Sequence, residues 1–282
     1  MPNEQQVMQW DGPIGGSWAH LQDRYDAMLR PLGDLLMGAA DPRPGERALD
    51  IGCGCGATTL DLGLAVGAGG TATGVDLSAA MLQRARDRAA EAKLTNVRFV
   101  QEDAQTARLS DGHDLVVSRF GVMFFEDPVA AFRNIRAAVR PGGRLVFVCW
   151  QEMAANPFVQ IPASVFLRHV PQPDTGADPG PGPFSLADGD HTARLLGDAG
   201  WSDVSLERVT RQVVLGGWGR AEEAAAFASA SMAGRRILAN AAPDIVAAAL
   251  ADLARELRPH ETDAGVVLDC AAWLVQASNA VG

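Results

Sequence analysis

The segment LDIGCGCGATT, in which three glycines alternate with two cysteines, is the first part of the chain that could do chemistry. Glycines at positions 52, 54 and 56 let the backbone turn sharply and let a ligand approach without a Cβ in the way. A helix that begins after them would present unpaired N–H groups to that ligand. The pattern predicts a loop, formed by Gly52, Gly54 and Gly56, that binds a nucleotide cofactor.

The glycine loop does not by itself identify the cofactor. Gly52, Gly54 and Ala57 also satisfy the pattern G-x-G-x-x-G/A, which binds dinucleotides. The next predicted strand ends at Asp76, 20 residues after Gly56, and both cofactor classes use such an acid to bind ribose hydroxyls. A helix cap is the alternative role for this acid, but Ser78 already suits that position.

Two further segments separate the two cofactor classes. The sequence VQEDA closes a third predicted strand, and its Asp103 could accept a hydrogen bond from an adenine amino group. The sequence RPGGRL at residues 140–145 leads into a fifth predicted strand.

These residues can meet only if the fold brings the strand ends together, and the pattern of residues 46–150 predicts such a fold. Short apolar strands alternate with helical segments, which indicates a parallel sheet covered by helices on both faces. The clearest helix runs from Pro128 to Val139, with Asp127 as its N-cap, and the sequence PGG follows it. The predicted strands are Arg47 to Ile51, Thr71 to Asp76, Val97 to Val100, Asp114 to Ser118 and Arg144 to Trp150.

The flanking segments predict additions to this domain. Residues 1–45 are predicted to form an N-terminal helical cap, because apolar residues from Trp18 to Met28 recur at spacings of three and four. Residues 46–282 are predicted to form the α/β domain. Within it, residues 151–185 and 216–262 are predicted lid or insertion elements, and the proline- and glycine-rich stretch 171–183 is predicted to be a loop.

The C-terminal part is predicted to complete the same domain. Residues 187–199 have a helical pattern, and residues 203–215 alternate as a long strand does. The alanine-rich stretch 221–257 indicates two or three helices, and residues 266–276 indicate a last strand.

Two residue types that occur once each exclude large enzyme classes. Lys93 is the single lysine and lies in a charged stretch, which excludes a buried Schiff-base lysine and a Gly-Lys-Ser/Thr phosphate loop. Tyr25 is the single tyrosine and Leu29 stands four residues later, which excludes the Tyr-x-x-x-Lys pair of short-chain dehydrogenases. The net charge of -10 predicts that the partner is neither a nucleic acid nor an anionic membrane.

The cysteines and the N-terminal sequence predict a cytoplasmic protein. Four cysteines in 282 residues do not make a disulfide framework, and MPNEQQVMQWDG lacks a signal-peptide pattern. No apolar run approaches the roughly 18 to 20 residues of a membrane helix. Cys53 and Cys55 lack the second pair of ligands that a metal site needs, so they are interpreted as small loop residues and no metal is predicted.

Four blocks, LDIGCGCG, GVDLS, QEDA and LVVSRFGVMFF followed by VRPGGRLVFV, occur in this order. Together they resemble the class I S-adenosylmethionine-dependent methyltransferases, especially the branch of ubiquinone/menaquinone-type and small-molecule methyltransferases. The resemblance covers about residues 45–150. It implies a Rossmann-like, doubly wound, mostly parallel seven-stranded sheet with helices on both faces, and S-adenosyl-L-methionine as cofactor.

The resemblance also implies a role for each cofactor residue. The glycine loop would face the methionine part of the cofactor, and Asp50 would orient the loop and the amino group. Ser118 would contact the methionine amine through its backbone. Asp76 would bind the ribose, and Leu77 would pack on the adenine. Asp103 and Ala104 would hold the adenine edge.

On the acceptor side no catalytic motif stands out. His20 is a candidate general base, with an exposed surface residue as the alternative. Trp18, Phe120 and Phe124 are candidate substrate contacts, with ordinary core packing as the alternative for the phenylalanines. The segment Met153 to Pro183 is predicted to form the acceptor pocket and its lid together with the N-terminal helix, and a surface insertion is the alternative.

The sequence therefore predicts transfer of a methyl group from S-adenosyl-L-methionine to a small-molecule acceptor by in-line displacement. In such a reaction the protein mainly positions the nucleophile and excludes water. Two alternatives stay open: an NAD(P)-dependent Rossmann oxidoreductase and a non-catalytic cofactor-binding protein. The sequence does not predict the acceptor, the methylated atom, the use of a general base or the oligomeric state.

Overall fold

A computed structural model describes residues 3–170 and 181–280. The strands in this part of the chain are β1 Arg47–Ile51, β2 Thr71–Asp76, β3 Val97–Gln101, β4 His113–Arg119, β5 Val139–Trp150, β6 Ser202–Val214, β7 Glu261–Thr262 and β8 Gly265–Ser278. Seven of them follow one another across the sheet in the order β3-β2-β1-β4-β5-β8-β6, and the two-residue β7 pairs with the start of β8.

The sheet is parallel over its first five strands. β1 lies between β2 and β4, with β3 beyond β2 and β5 beyond β4. β8 runs antiparallel between β5 and β6. The strand order reverses between β1 and β4, so the carboxyl ends of these two strands form the crevice in which such sheets bind ligands. This topology confirms the predicted doubly wound, mostly parallel seven-stranded sheet.

Helices pack on both faces of the sheet, and two of the predicted caps are present. The side chain of Ser78 accepts a hydrogen bond from the N–H of Met81 at the start of one helix, and that of Asp127 accepts one from Ala130 at the start of another. The helices are α1 Glu4–Trp10, α2 Pro13–His20, α3 Gln22–Ala40, α4 Ala57–Val66, α5 Ala79–Glu91, α6 Pro128–Ala137, α7 Pro157–His169, α8 Gly189–Asp198, α9 Ala221–Ala230, α10 Met232–Leu238 and α11 Pro243–Leu257.

The N-terminal segment is helical as predicted, but it is divided into α1, α2 and α3. Gly12 has a non-helical backbone, and Pro13 begins α2, where its fixed φ suits a first helical residue. A second break falls at Leu21, between α2 and α3. Trp18 and Tyr25 therefore lie on different helices, and they meet through ring stacking rather than along one helical face.

β5 begins earlier than the sequence pattern predicts. α6 ends at Ala137, and the strand already starts at Val139, ahead of the PGG sequence. The N–H of Gly142 donates to the carbonyl of Asn279 at 2.7 Å, and the N–H of Asn279 donates to the carbonyl of Gly143 at 2.9 Å. Because these partners come from the far end of the chain, the local sequence does not reveal that the segment is paired.

Residues 151–170, predicted as part of a lid or insertion, contain the helix α7. Its N-cap residue Asn156 is fully buried, and Pro162 lies inside the helix, which weakened the helical pattern. The C-terminal helices and strands lie close to their predicted positions, and the alanine-rich stretch forms α9, α10 and α11. Most of the predicted loop at 171–183 falls on residues 171–180, which lie outside the described residues.

The core lies at the central strands. Almost every side chain of β1, β4 and the second half of β5 is buried, as expected for parallel strands covered on both faces. α3 belongs to this core, because Leu32, Leu36 and Ala40 are fully buried. Across residues 3–170 and 181–280, no helix is both long enough and apolar enough to cross a membrane.

Candidate functional site

The glycine loop joins β1 to α4 at the carboxyl end of the sheet. Gly52, Gly54 and Gly56 have positive φ angles of 67°, 54° and 82°, which glycine adopts without steric cost. A Cβ on Gly52 would lie 2.6 Å from the Cα of Gly121 in the loop after β4, and a Cβ on Gly56 would lie 2.9 Å from the Cβ of Ala85. Two of the three glycines are therefore required by close packing as well as by φ.

Gly54 differs because the space beside it is open. The nearest heavy atom to a Cβ at this position would be the sulfur of Met81, at 3.8 Å. Its backbone N–H donates to Oδ2 of Asp76 at 2.8 Å, which holds the loop from one side. Gly54 lines a large cavity, so this part of the loop leaves room for a ligand to lie against the backbone.

Asp76 ends β2 and organises the glycine loop. Its Oδ1 accepts a hydrogen bond from the N–H of Ser78 at 2.9 Å, and its Oδ2 accepts the one from Gly54. Burial raises the pKa of this carboxyl, while the backbone hydrogen bonds oppose the rise. A carboxylate has about four acceptor positions, and Asp76 lines the cavity, so it can accept further hydrogen bonds. Ribose binding by Asp76 stays a prediction.

Asp50 presents a buried carboxylate oxygen that has no partner. Its Oδ2 accepts a hydrogen bond from Oγ1 of Thr59 at 2.7 Å, whereas its Oδ1 is buried without a hydrogen bond from the described residues. Burial raises the pKa of Asp50 to about 7, against the lowering effects of Thr59 and the Arg119 guanidinium. An unpaired buried acceptor is costly. Because Asp50 lines the cavity, a ligand ammonium group would satisfy it, which fits the role implied for this residue.

Leu77, Asp103 and Ala104, predicted to hold the nucleoside, all line the same cavity. Asp103 also organises its own turn, because its Oδ1 accepts a hydrogen bond from the N–H of Gln105 at 2.9 Å. The structure thus brings the ends of β2 and β3 to the cavity that the glycine loop enters. Contact of these residues with adenine stays a prediction.

Asn3 lies beside Asp103 and was not predicted from the sequence. Its Nδ2 donates to Oδ1 of Asp103 at 3.2 Å, and its backbone N–H donates to Glu126. Its Oδ1 is buried without a partner among the described residues, and the residue lines the cavity. No motif marks a lone asparagine near a chain terminus, so this position follows from the fold alone.

Ser118 is fully buried and holds two loops together. Its hydroxyl donates to the carbonyl of Ile51 at 2.7 Å and accepts from the N–H of Gly121 at 3.1 Å. The cavity wall here is formed by the next residues, Arg119, Phe120 and Gly121. Ser118 thus positions the loop after β4, and its predicted backbone contact with the methionine amine stays a prediction.

The cavity has a volume of about 1330 Å³, and aromatic side chains line much of it. The rings of Trp18 and Tyr25 stack with their centroids 3.7 Å apart and an interplanar angle of 2°. Trp10 meets Phe124 edge to face, with centroids 5.0 Å apart. The predicted substrate contacts Trp18, Phe120 and Phe124 all line the cavity.

Phe120 combines an unusual backbone with a stacked ring. Its φ of 67° is uncommon for a residue other than glycine. The ring stacks on Trp150 with centroids 3.9 Å apart and an interplanar angle of 13°. Backbone strain of this kind concentrates at functional sites, and Phe120 lines the cavity.

The structure does not bring His20 to the site. His20 ends α2 and is exposed, and it is absent from the described residues that line the cavity. This position agrees with the alternative interpretation of His20 as an exposed surface residue. Its neighbour Trp18, two residues earlier on the same helix, does face the cavity, which is why sequence proximity was misleading.

Cys53 and Cys55 are buried and also line the cavity. The sulfur of Cys53 would lie 2.7 Å from a Cβ on Gly74, so it fills a packed position. Burial raises the pKa of Cys55 to about 12, which keeps its thiol protonated at neutral pH. Among residues 3–170 and 181–280, His, Cys, Asp and Glu side chains form no group of three or more that could hold a metal ion.

A charged network beside the loop is a second feature that the sequence analysis missed. Asp26 on α3 pairs with Arg119 at 3.3 Å and with Arg88 at 2.8 Å. Arg88 also donates to the carbonyl of Cys55 in the glycine loop at 2.5 Å. The three charged residues are far apart in sequence, so no local pattern could have found them.

Comparison with known proteins gives matches to methyltransferases. A family model described as a methyltransferase domain matches residues 48–143. The aklanonic acid methyltransferase DauC of Streptomyces sp. (strain C5) is 36% identical over 149 residues, which cover 50% of this chain and 68% of that protein. The demethylmenaquinone methyltransferase of Corynebacterium kroppenstedtii is 28% identical over 183 residues, which cover 62% of this chain and 76% of that protein.

A solved structure supports the fold. The phosphoethanolamine N-methyltransferase 2 of Haemonchus contortus, in complex with S-adenosyl-L-methionine, superposes with a TM-score of 0.54 at 18% identity. The superposition covers 89% of this chain and 53% of that one. The superposition covers more of this chain than residues 48–143, which the family model matches.

Proposed function

Because the chain belongs to the class I S-adenosylmethionine-dependent methyltransferases, we propose that it methylates a flat, largely apolar small molecule. The observation that carries this proposal is the aromatic lining of the cavity next to the glycine loop. The cavity of about 1330 Å³ exceeds the roughly 300 to 1,000 Å³ of a typical site for one ligand. It therefore has room for a cofactor and an acceptor side by side.

In this proposal the cofactor lies along the carboxyl ends of β1, β2 and β3. Asp76 binds the ribose, and Leu77, Asp103 and Ala104 hold the adenine. Gly54 leaves the space in which the methionine part lies, and Asp50 receives its ammonium group. The partnerless Oδ1 of Asp50 supports this placement.

The acceptor lies against the aromatic residues. The partly exposed rings of Trp10, Trp18 and Phe124 line this part of the cavity and offer aromatic faces and edges on which a flat apolar ligand can pack. The N-terminal cap, residues 1–45, contributes Trp10 and Trp18 to this wall, and α7 and α10 also contribute to it. The names of two relatives, an aklanonic acid and a demethylmenaquinone methyltransferase, support a small-molecule acceptor.

The bound cofactor supplies a methyl group that is already activated on a sulfonium sulfur. The protein residues then orient the acceptor and exclude water, which are the main contributions such a transfer needs. None of the described cavity residues is a histidine or a lysine. Burial raises the pKa of Tyr25 to about 12, so its hydroxyl stays protonated and is no base at neutral pH. The described cavity residues that could take up a proton are therefore carboxylates such as Glu102, which suits an acceptor that needs no strong base.

The test is methyl transfer from labelled S-adenosyl-L-methionine to a panel of acceptors. We expect transfer to flat compounds such as naphthohydroquinones and hydroxyanthraquinones, and none to phosphoethanolamine. Trp18→Ala removes one stacked ring and should lower kcat/KM for the flat acceptor by about 3- to 10-fold, with the affinity for S-adenosylhomocysteine retained.

The matched control is Trp218→Ala, because Trp218 is 46% exposed and lies outside the described cavity residues. Its kcat/KM should equal that of the wild type. Transfer to phosphoethanolamine without transfer to any flat compound would contradict the proposed acceptor class, and so would equal effects of the two tryptophan substitutions.

A further inference from the structure

We propose that Arg119 binds the carboxylate of the cofactor's methionine part, opposite Asp50, which receives the ammonium group. The assignment rests on the proposed placement of the methionine part and is independent of the acceptor. It identifies a cofactor-binding residue outside the glycine loop and outside the acids that the resemblance implies.

Arg119 is placed where this contact requires a cation. It is the last residue of β4, directly before the loop whose Gly121 packs against Gly52 of the glycine loop. Its side chain is only 15% exposed, and it lines the cavity together with Asp50. The guanidinium lies close enough to Asp50 to oppose the burial-induced rise of its pKa.

The surroundings hold the guanidinium in place and leave donors to spare. Asp26 accepts one hydrogen bond from Nη2 of Arg119 at 3.3 Å. A Cβ on Gly33 would lie 3.4 Å from Nη1, so α3 makes room for the side chain where it passes. A guanidinium carries five N–H donors in a planar fork that suits a carboxylate, and the described residues engage one of them.

The local charges match an amino-acid zwitterion. Asp26 is shared between Arg119 and Arg88, so these three residues carry one excess positive charge. Burial raises the pKa of Asp61 while the Arg119 guanidinium opposes the rise, and Asp61 pairs with Arg30 at 3.5 Å. Asp50, which has a partnerless oxygen, lines the same cavity. A ligand end with an ammonium and a carboxylate on one carbon would satisfy both groups at once.

Calorimetry with two ligands separates these roles. S-Adenosylhomocysteine carries both the ammonium and the carboxylate, whereas decarboxylated S-adenosylmethionine carries the ammonium alone. We expect Arg119→Ala to weaken binding of S-adenosylhomocysteine by about 10- to 100-fold. Binding of the decarboxylated ligand should change by less than about threefold, because no carboxylate contact is lost.

A matched control and a second variant keep the test decisive. Arg84→Ala removes an arginine that bonds to Gln22 at the edge of the same network and lies outside the described cavity residues, and both affinities should stay unchanged. Thermal unfolding shows whether the alanine variant folds. If it does not, Arg119→Gln, which keeps much of the side chain's length without its charge, replaces it and should show the same ligand-selective loss.

Two results would overturn the proposal: equal losses for both ligands, which indicate a structural pair, or no loss for either. The experiment contains no acceptor, so its failure would leave the proposed acceptor class untouched.

Discussion

At the scale of single residues, the site depends on polar groups whose environment is unfavourable in the free protein. Asp50 is buried in the wall of the cavity with one oxygen unpaired. Its pKa of about 7 follows from desolvation, which favours the neutral acid. Below about pH 7 the carboxyl of Asp50 is therefore largely protonated in the free protein. A bound ammonium group, by contrast, would favour the ionised carboxylate. Cofactor binding and protonation of this residue should be linked.

We predict that the affinity for S-adenosylhomocysteine falls as the pH drops below about 7, by up to about tenfold per pH unit. The reason is that Asp50 must lose its proton to accept a hydrogen bond from the ammonium group. Calorimetry between pH 5.5 and 8.5, in two buffers of different ionisation enthalpy, measures both the affinity and the number of protons released.

The variant Asp50→Asn should bind more weakly at pH 8 and should lose this pH dependence. Asp87→Asn, on the exposed side of α5, is the matched control and should behave as the wild type. Asp50 also lowers the stability of the free protein as the pH rises from about 4 to about 7. The reason is that its carboxyl ionises at a lower pH in the unfolded chain than in the folded protein. A wild-type affinity that is flat across this range would contradict the assignment.

At the scale of elements, long-range hydrogen bonds decide where strands and helices begin and end. β5 ends at Trp150, yet β8 continues past it. The side chain of Asn156 takes the place of the missing strand, because its Oδ1 accepts from the N–H of Ala271 at 2.9 Å and its Nδ2 donates to the carbonyl of Ala271 at 3.1 Å. This residue also precedes α7, so one asparagine fixes the entry of α7 to the edge of the sheet.

We predict that Asn156→Ala lowers the free energy of unfolding by about 2 to 3 kcal/mol, because it leaves the buried N–H of Ala271 unpaired. Urea unfolding should show a lower midpoint with an unchanged slope. Ser164→Ala on α7, whose hydroxyl is exposed, should change stability by less than about 0.5 kcal/mol. Equal midpoints for the two variants would show that Asn156 is dispensable.

At the scale of the whole molecule, the N-terminal helices close the cavity over the sheet. Asn3 bonds to Asp103, and Oδ1 of Asp11 accepts from the N–H of Ala79 at the start of α5 at 2.7 Å. Trp10 packs on Phe124 beyond β4. α1 and α2 are short, and Val7 and Met8 on α1 are exposed. A ligand that fills the cavity would add contacts to them.

We predict that binding of S-adenosylhomocysteine slows amide hydrogen exchange in α1 and α2, because opening of these helices becomes coupled to release of the ligand. Exchange measured by mass spectrometry should show this protection at residues 4–20. α8 packs on α6 and β6 and contributes no described residue to the cavity, so its exchange should not change. Equal protection of both regions would point to global stabilisation instead of closure.

Local patterns were sufficient for the central part of the chain. The strands β1 and β2, the caps Ser78 and Asp127 and the glycine loop depend on neighbours a few residues away, and the structure has them where the pattern predicts them. The periodicity of apolar residues did not predict element boundaries that depend on contacts with residues far away in the sequence. The early start of β5 depends on Asn279, and the helix α7 contains Pro162.

The sequence by itself determined the family, the sheet and the residues that meet at the strand ends, because parallel strands bring their carboxyl ends to one edge whatever the rest of the chain does. Only the tertiary structure decided which side chains face the cavity. It placed Arg119, Asp26 and Asn3 at the site and left His20 outside. The reason is physical: burial, pKa shifts and ion pairing depend on distances between residues far apart in the chain, and no local spacing encodes those distances.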